Sequence, residues 1–327
     1  DNVTMNYDVR LNFDTSFTGK DLLRTTLRAG NFANSVFGNG NTALEVAFQE
    51  DQTGAPGVDT VGINRLFYQF PIGENLTATF GAKVRQDDML AMWPSAYPAD
   101  SVLDLFTYAG ARNAYSLNLG AGIGLWYEKD GFSISASYVS GEAASENSLV
   151  GVGEDLTATL QVGYAAESWG AAFVYAYNDF GGGFTSANSI GLSGYFSPLT
   201  ASWAPSISAG FGYAGADVGD FNVDDNWNWM VGLQWADVGV KGNALGMAIG
   251  SAGSATEGKC SALGGANCTF PLGGGNWLDN GQETLAYELW YKFQVTDNIS
   301  VTPAFFWVEN SGASDTYGGL VKTTFKF

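Results

Sequence analysis

From its third residue the chain alternates without a break. Val3, Met5, Tyr7, Val9, Leu11 and Phe13 share one face of an extended backbone, and Thr4, Asn6, Asp8, Arg10, Asn12 and Asp14 share the other. The turn TGKD follows, and then Leu23, Thr25 and Leu27 oppose Arg24, Thr26 and Arg28, which predicts a hairpin. The same pattern returns in TALEVAFQE, in VGINRLFYQF and, after the turn PIGEN, in LTATFGAKVR. Leu119, Ala121, Ile123, Leu125 and Tyr127 lead into EKDG, whose Asp130-Gly131 pair is a hairpin dipeptide, and Phe132, Ile134, Ala136 and Tyr138 return. Further strands are predicted over 156–164, 169–177, 190–196, 205–213, 227–235, a glycine-rich stretch ending near Ile249, 285–293, 299–307 and 317–327. The count is sixteen.

An even number of antiparallel strands, each about 9–11 residues long and joined by alternating tight and long connections, suits segments that cross a bilayer at a tilt. The pattern predicts an all-β fold, a transmembrane antiparallel β-barrel of about 16 strands forming one domain over 1–327. The first strand is expected to pair with the last, so that backbone groups facing lipid are satisfied and the chain is tied down as far as Phe327. Trp169, Trp203, Trp227, Trp235 and Trp307 fall near strand ends, where interfacial aromatics sit. The competing reading is a secreted β-sandwich or lectin. Against it, the second face of these strands carries Thr, Ser, Asn, Gly, Lys and Arg rather than a second core.

Composition sharpens this picture. The 327 residues include 44 Gly, 14% aromatic and only 14% charged side chains, and no run of about 20 apolar residues offers a membrane helix. A formal net charge of −19 argues against a nucleic-acid partner, which needs clustered Lys and Arg. The absence of His excludes a Ser-His-Asp triad and a histidine-ligated metal, so neither enzymatic activity nor a cofactor is expected. Cys260 and Cys268 read either as a small disulfide in an oxidising compartment or as free thiols. Asp217, Asp220, Asp224 and Asp225 form an acidic group whose spacing does not match an EF-hand: either a weak divalent-cation site or a solvated loop. The chain opens directly in a strand, so an export signal is expected to have been removed.

Four stretches, DTSFTGKDLLRTTLRAGNF, YQFPIGENLTATFGA, VTDNISVTPAFFW and the terminal TTFKF, together resemble the cyanobacterial outer-membrane porins, relatives of the carbohydrate-selective porin family. The resemblance spans nearly the whole chain and is densest in the first 85 and last 45 residues. It implies an outer-membrane location in a Gram-negative-type bacterium, contact with membrane lipid and lipopolysaccharide, and a homotrimer of passive channels for inorganic ions and small solutes. Some members are iron-uptake porins. The family usually carries a surface-layer-homology domain that binds cell-wall polymer, a module expected to be absent from this chain.

The segment QDDMLAMWPSAYPADSVLDLFTYAGARN is too long for an idle turn. It holds Pro94, Pro98 and a short helix candidate opening at Ser101, with Asp104 at capping-box spacing. By the count it joins the fifth and sixth strands, and the resemblance implies that residues 87–115 fold into the lumen as a constriction loop; an extracellular lid is the other reading. All six arginines, Arg10, Arg24, Arg28, Arg65, Arg85 and Arg112, lie in the first 112 residues, and most share the polar phase with Lys83; Arg65 falls where a bulge would shift the phase. They predict a basic wall, with Asp87, Asp88, Asp100 and Asp104 of the inserted segment opposite. Such charges either set up a transverse field across a narrow passage or simply neutralise one another. The expected function is a passive porin with a narrow charged lumen. A channel selective for iron species or sugars is the alternative, and a soluble carbohydrate-binding β-protein ranks last.

Overall fold

The computed structural model describes residues 3–32, 43–45, 60–98, 102–141, 155–179, 186–200, 203–216, 222–223, 225–255, 258–259, 285–309 and 315–327. In chain order the strands are β1 (Asp8–Thr15), β2 (Leu22–Gly30), β3 (Gly62–Ile72), β4 (Leu76–Arg85), β5 (Leu119–Lys129), β6 (Phe132–Ser140), β7 (Leu156–Ala165), β8 (Trp169–Asp179) and β9 (Ser186–Phe196). They continue with β10 (Ser206–Ala216), β11 (Asn222–Val223), β12 (Asp225–Ala236), β13 (Ala244–Ala255), β14 (Gly258–Lys259), β15 (Leu285–Thr296), β16 (Ile299–Val308) and β17 (Thr316–Phe325). Fifteen of them form one sheet in which each strand pairs antiparallel with the next, while β11 and β14 pair only with each other.

The two faces of this sheet are inverted relative to a water-soluble protein. On β7, Thr157, Thr159 and Gln161 are buried while Leu160, Val162 and Tyr164 are exposed. On β4 and β5, Phe80 stands 52% exposed and Ile123 62% exposed. An apolar face turned outward over this many strands has its counterpart in lipid, and the polar face is the interior of the curl. The period-two pattern therefore sorts the residues as read from the sequence, apolar ones outward and polar ones inward.

Successive connections fall alternately at the two ends of the sheet, and the shortest, 73–75, 130–131, 166–168 and 297–298, all lie at one end. The β5–β6 turn shows how sequence fixes them: Asp130 and Gly131 both take positive φ, 51° and 83°, the conformation a two-residue hairpin needs. At the same end, Asp21 closes the β1–β2 turn. Its carboxylate accepts hydrogen bonds from the backbone N–H groups of Phe17 and Thr18, the hydroxyls of Ser16 and Thr18, and the Tyr68 hydroxyl on β3. The hydroxyls of Thr18 and Tyr68, with these backbone donors, hold the Asp21 carboxyl well below the usual range.

Two expectations are corrected. The run TALEVAFQE is not a wall strand between β2 and β3, because these two pair directly from Leu22 opposite Gln69 to Arg28 opposite Gly62. Within that run, Leu44 bridges to Leu103 and packs against the buried cluster around Phe106 instead, and residues 46–50 lie outside the described residues. An alternating run is free to pair wherever its apolar face is best covered. Among the described residues the sheet has fifteen strands, in keeping with the expected count of about 16, and the long segment joins β4 to β5 rather than the fifth strand to the sixth. The second correction concerns closure. Among the described residues β1 and β17 are the sheet's edges, with no ladder between them. With an odd number of strands in antiparallel succession these two run in the same direction, so an antiparallel ladder between them is excluded by geometry.

Candidate functional site

The described residues of the segment between β4 and β5 lie on the polar face and are bonded to it on both limbs, 86–98 and 102–118. The segment opens with a 3₁₀ turn, Gln86–Met89, whose start is set when Arg85 N–H donates to Asp88 Oδ2 at 2.9 Å. Gln86 is fully buried. Its amide donates to Ala114 O at 2.9 Å and to Thr159 Oγ1 of β7 at 2.6 Å, and its carbonyl accepts Leu117 N–H at 3.0 Å, so one side chain ties both ends of the segment to the wall. Met89 packs on Phe67, Val84 and Val139. Phe67 and Val84 reach the inner side because β3 carries an extra residue, Asn64, against β2, and β4 is bulged between Gly81 and Val84, which resets the alternation.

Beyond this turn the segment crosses the face. Ala91 N–H donates to Ser135 Oγ of β6 at 2.9 Å, Gln161 of β7 donates to Met92 O at 2.9 Å, and the N–H groups of Ala96 and Tyr97 share Ser208 Oγ of β10. At the far wall Glu288 of β15 accepts the Tyr97 hydroxyl at 2.6 Å and Leu103 N–H at 2.7 Å, and Trp290 Nε1 donates to the Tyr97 oxygen at 2.9 Å. Val102, Leu103, Leu105 and Phe106 are buried there against Met230, Ala248, Ala286 and Phe306. On the return, Ser193 donates to Ala109 O, Arg112 N–H to Asn228, and Asn113 to Asn226 Oδ1 at 2.6 Å. Gly110, at φ +73°, passes so close to β10 that a Cβ there would stand 2.5 Å from Gly210 O. The expected helix from Ser101 shrinks to a 3₁₀ turn, Asp104–Thr107; Ser101 itself lies outside the described residues.

The sequence-predicted charges are brought together in pairs. Arg10 and Arg28 sit directly opposite on β1 and β2, and Asp8 accepts from both. Arg24 and Asp14, also opposite, pair through two bonds of 2.8 and 2.7 Å. Arg65 is buried at a bulge of β3 against β2, pairing with Asp88 and bonding Asn64. Arg85 makes a two-point contact with Asp87. Asp87 and Asp88 therefore stand beside the arginines rather than across a gap. Burial works to raise the Asp87 carboxyl, yet Arg85 and then Arg65 hold it below the ordinary value. For Asp88 burial and the Asp87 charge prevail over Arg65 and raise it.

Lys83 faces Leu66 across the β3–β4 ladder, and Arg112 lies 5.2 Å from the Tyr108 ring centre. Asp104 accepts the Tyr108 hydroxyl at 2.7 Å. Asp100, Cys260, Cys268, Asp217, Asp220 and Asp224 lie outside the described residues; Asp225 opens β12 opposite Gly215, and nothing is described of its side chain.

Sequence reasoning missed Gln86, Tyr97 and Glu288, the residues that fasten the segment, and also Lys292, Lys322 and Lys326, which line a cavity beside Trp290 on the same face. The signal for Glu288 was available. It is the single carboxylate in AYELWYKF, on the same phase as Trp290 and Lys292.

An outward apolar face, a polar interior and a long segment fastened across that interior define an outer-membrane β-barrel of the porin class. A model of the carbohydrate-selective porin, OprB family matches residues 4–327, and the chain belongs to that family. Two cyanobacterial relatives are similar over 98% of this chain: the uncharacterized protein alr4550 of Nostoc, 29% identical, and the uncharacterized protein sll0772 of Synechocystis, 26% identical. The chain spans 60% and 63% of their respective lengths. Among solved structures, Pseudomonas putida OprB at high pH superposes with a TM-score of 0.61 at 11% identity, covering 98% of this chain and 87% of that one. The trimer form of Vibrio cholerae OmpT gives 0.58 at 11% identity over 98% and 91%. The anion-selective porin of Comamonas acidovorans gives 0.56 at 12% over 97% and 86%. These likenesses are of fold.

Proposed function

We propose that this chain is a passive channel through which inorganic ions and small hydrophilic solutes diffuse, with residues 87–115 as its constriction. One observation carries the reading: the segment is held on the polar face by buried bonds from Gln86 to β7 and from Glu288 of β15 to Tyr97 and Leu103. A lid over the mouth has no need of such anchors. Because the segment is fastened toward β6–β15, the free passage runs beside β1 and β2, where Arg10 and Arg24 are the more exposed arginines. Their fixed charges bias passing ions. The family and the trimeric Vibrio relative support a homotrimer surrounded by lipid and lipopolysaccharide.

The reading with selective uptake of sugars draws on the family description alone, and for iron the described residues hold no cluster of three or more His, Cys, Asp or Glu side chains. The soluble β-protein reading fails on the outward apolar face.

The test is single-channel conductance in planar bilayers with the reversal potential under a KCl gradient, comparing the chain with Arg10→Gln/Arg24→Gln. Discrete steps in both, with a shift toward cations in the variant, support the reading. Absence of steps, or an unchanged reversal potential, sinks respectively the channel or the basic side of its passage.

A further inference from the structure

We infer that the polar face carries a binding site for a small oxyanion of the phosphate type, built from Lys292, Lys322 and Lys326. A cavity of about 440 Å³ opens between Pro98 of the inserted segment and strands β15–β17, and these three of the chain's eight lysines line it together with Trp290 and Thr302. No arginine lines the site, which lies toward the tight-turn end of the sheet.

Register sets its geometry. Trp290 is opposite Ala304 and Phe293 opposite Val301, which puts Lys292 across from Thr302, and Thr302 is paired with Lys322 on the next strand. Two lysines thus flank one hydroxyl in a single row across three strands. With neighbouring strands about 4.8 Å apart, their backbones stand roughly 10 Å from one another, within reach of two four-carbon arms converging on one ion. The next row holds Gln294, Ser300 and Thr324, all neutral, and Lys326 follows four residues after Lys322 on the same face. The lining residues include three lysines and one carboxylate, Asp297, in a protein whose net charge is −19. The local excess is therefore opposite in sign to the whole.

Ammonium groups offer three donors each and no acceptor, and the row between them adds the hydroxyls of Ser300 and Thr324, the Gln294 amide being engaged with Thr296 O. A tetrahedral oxyanion presents several acceptors at once and so engages more of this set than chloride does. The cavity walls, Trp290 on one side and the segment at Pro98 on the other, lower the local dielectric and strengthen each contact. A neutral sugar gains hydrogen bonds here but none of the charge. The inference deepens the channel reading, since such a site concentrates the anion at one mouth, but binding itself does not depend on conduction.

Two measurements separate the two. Binding of inorganic phosphate to the detergent-solubilised protein is measured by equilibrium dialysis, and block of KCl current by added phosphate is measured in bilayers. Both use the unaltered chain, Lys292→Gln/Lys322→Gln/Lys326→Gln, and Lys20→Gln in the β1–β2 turn as a control. Expected is saturable, salt-sensitive binding that sulfate displaces and glucose does not, weakened at least ~10-fold in the triple variant, since each charged hydrogen bond alone contributes about that factor, and unchanged in the control. Saturable block should weaken in parallel. Phosphate binding equal in the triple variant and the unaltered chain, or absent from both, overturns the site. Binding without any current overturns the channel and leaves the site standing.

Discussion

The Tyr97 hydroxyl donates to Glu288 Oε1 at 2.6 Å, across 191 positions of sequence, and both side chains are buried. The same carboxylate also accepts Leu103 N–H, so one residue of β15 fixes two points of the inserted segment. Stripping a buried carboxylate of water is costly unless its oxygens are matched by donors, and here both oxygens are.

The first prediction concerns that anchor. Tyr97→Phe removes one donor to Glu288 and one acceptor for Trp290, at a cost of about 1–3 kcal/mol in docking the segment. The barrel wall does not depend on it. Folding, read as heat-modifiable mobility on a denaturing gel, is expected to persist, while single-channel current becomes larger and noisier. A quiet channel of unchanged conductance would show that the anchor does not hold the constriction.

A second prediction rests on Glu45. Glu45 N–H donates to Val102 O at 3.0 Å, Asp104 N–H donates to Ala43 O at 2.9 Å, and Leu44 bridges Leu103 between them, which latches residues 43–45 to the segment. Burial, and then the Asp104 carboxyl beside it, pushes the Glu45 carboxyl up to about 8, against the pull of Arg85 and Arg10. The latched state therefore holds a proton that the free chain releases near 4.5. The latch is at full strength below pH 4.5, weakens as pH rises to about 8, and changes no further above that. Conductance noise should rise over this window, and Glu45→Gln, a permanent mimic of the neutral form, should flatten the profile. A profile identical in the variant would remove Glu45 from the latch.

The wall strands were legible from the period-two pattern because each apolar residue must face lipid and each polar one the interior. β7, β8 and β9 keep that alternation from end to end. What was only partly legible is where alternation is deliberately broken. The bulge of β3 beside Arg65 was expected from the phase of that residue, but the bulge of β4 that sends Val84 inward was not, because no local signal in FGAKVR distinguishes it from a regular strand. The arginines were found by type and phase, but their pairing with Asp87 and Asp88 depends on the 3₁₀ turn that follows β4. Leu44 was read as wall because periodicity gives a face and not a partner.

A third prediction tests the closest backbone approach. Any side chain at Gly210 meets Ala109 O at 1.8 Å from its Cβ, and a Cβ at Gly110 opposite would stand 2.5 Å from Gly210 O. Gly210→Val cannot be absorbed by a rotamer change, because the obstructing atoms are backbone. It is expected to displace the return limb of the segment, raising conductance and exposing Arg112 to trypsin, whereas Gly73→Ala in a tight turn with open space around it should cost only the strain of its positive φ, about 1 kcal/mol. Equal protease resistance in both variants would contradict the packing of this limb.

The last prediction follows from parity. β1 descends from Asp8 into the tight turn at 16–21, and β17 descends from the long connection after Val308 to end beside the β15–β16 turn, where Lys326 N–H donates to Asn298 O. Two edges that run in parallel leave unpaired backbone groups toward each other, and in lipid each such group costs several kcal/mol. An additional strand antiparallel to both satisfies all of them, whereas direct contact gives only the slanted, less stable parallel ladder. The two arrangements differ in distance: about 5 Å between adjacent strands and about 10 Å across an intervening one. Cysteines introduced singly at Val9, Leu11 and Phe13 of β1, each combined with Tyr317, Val321 or Phe325 of β17, measure which holds. The expected outcome is no disulfide on oxidation but efficient coupling by a reagent spanning about 10 Å. Ready disulfide formation in any pair would mean that the two edges close the barrel directly.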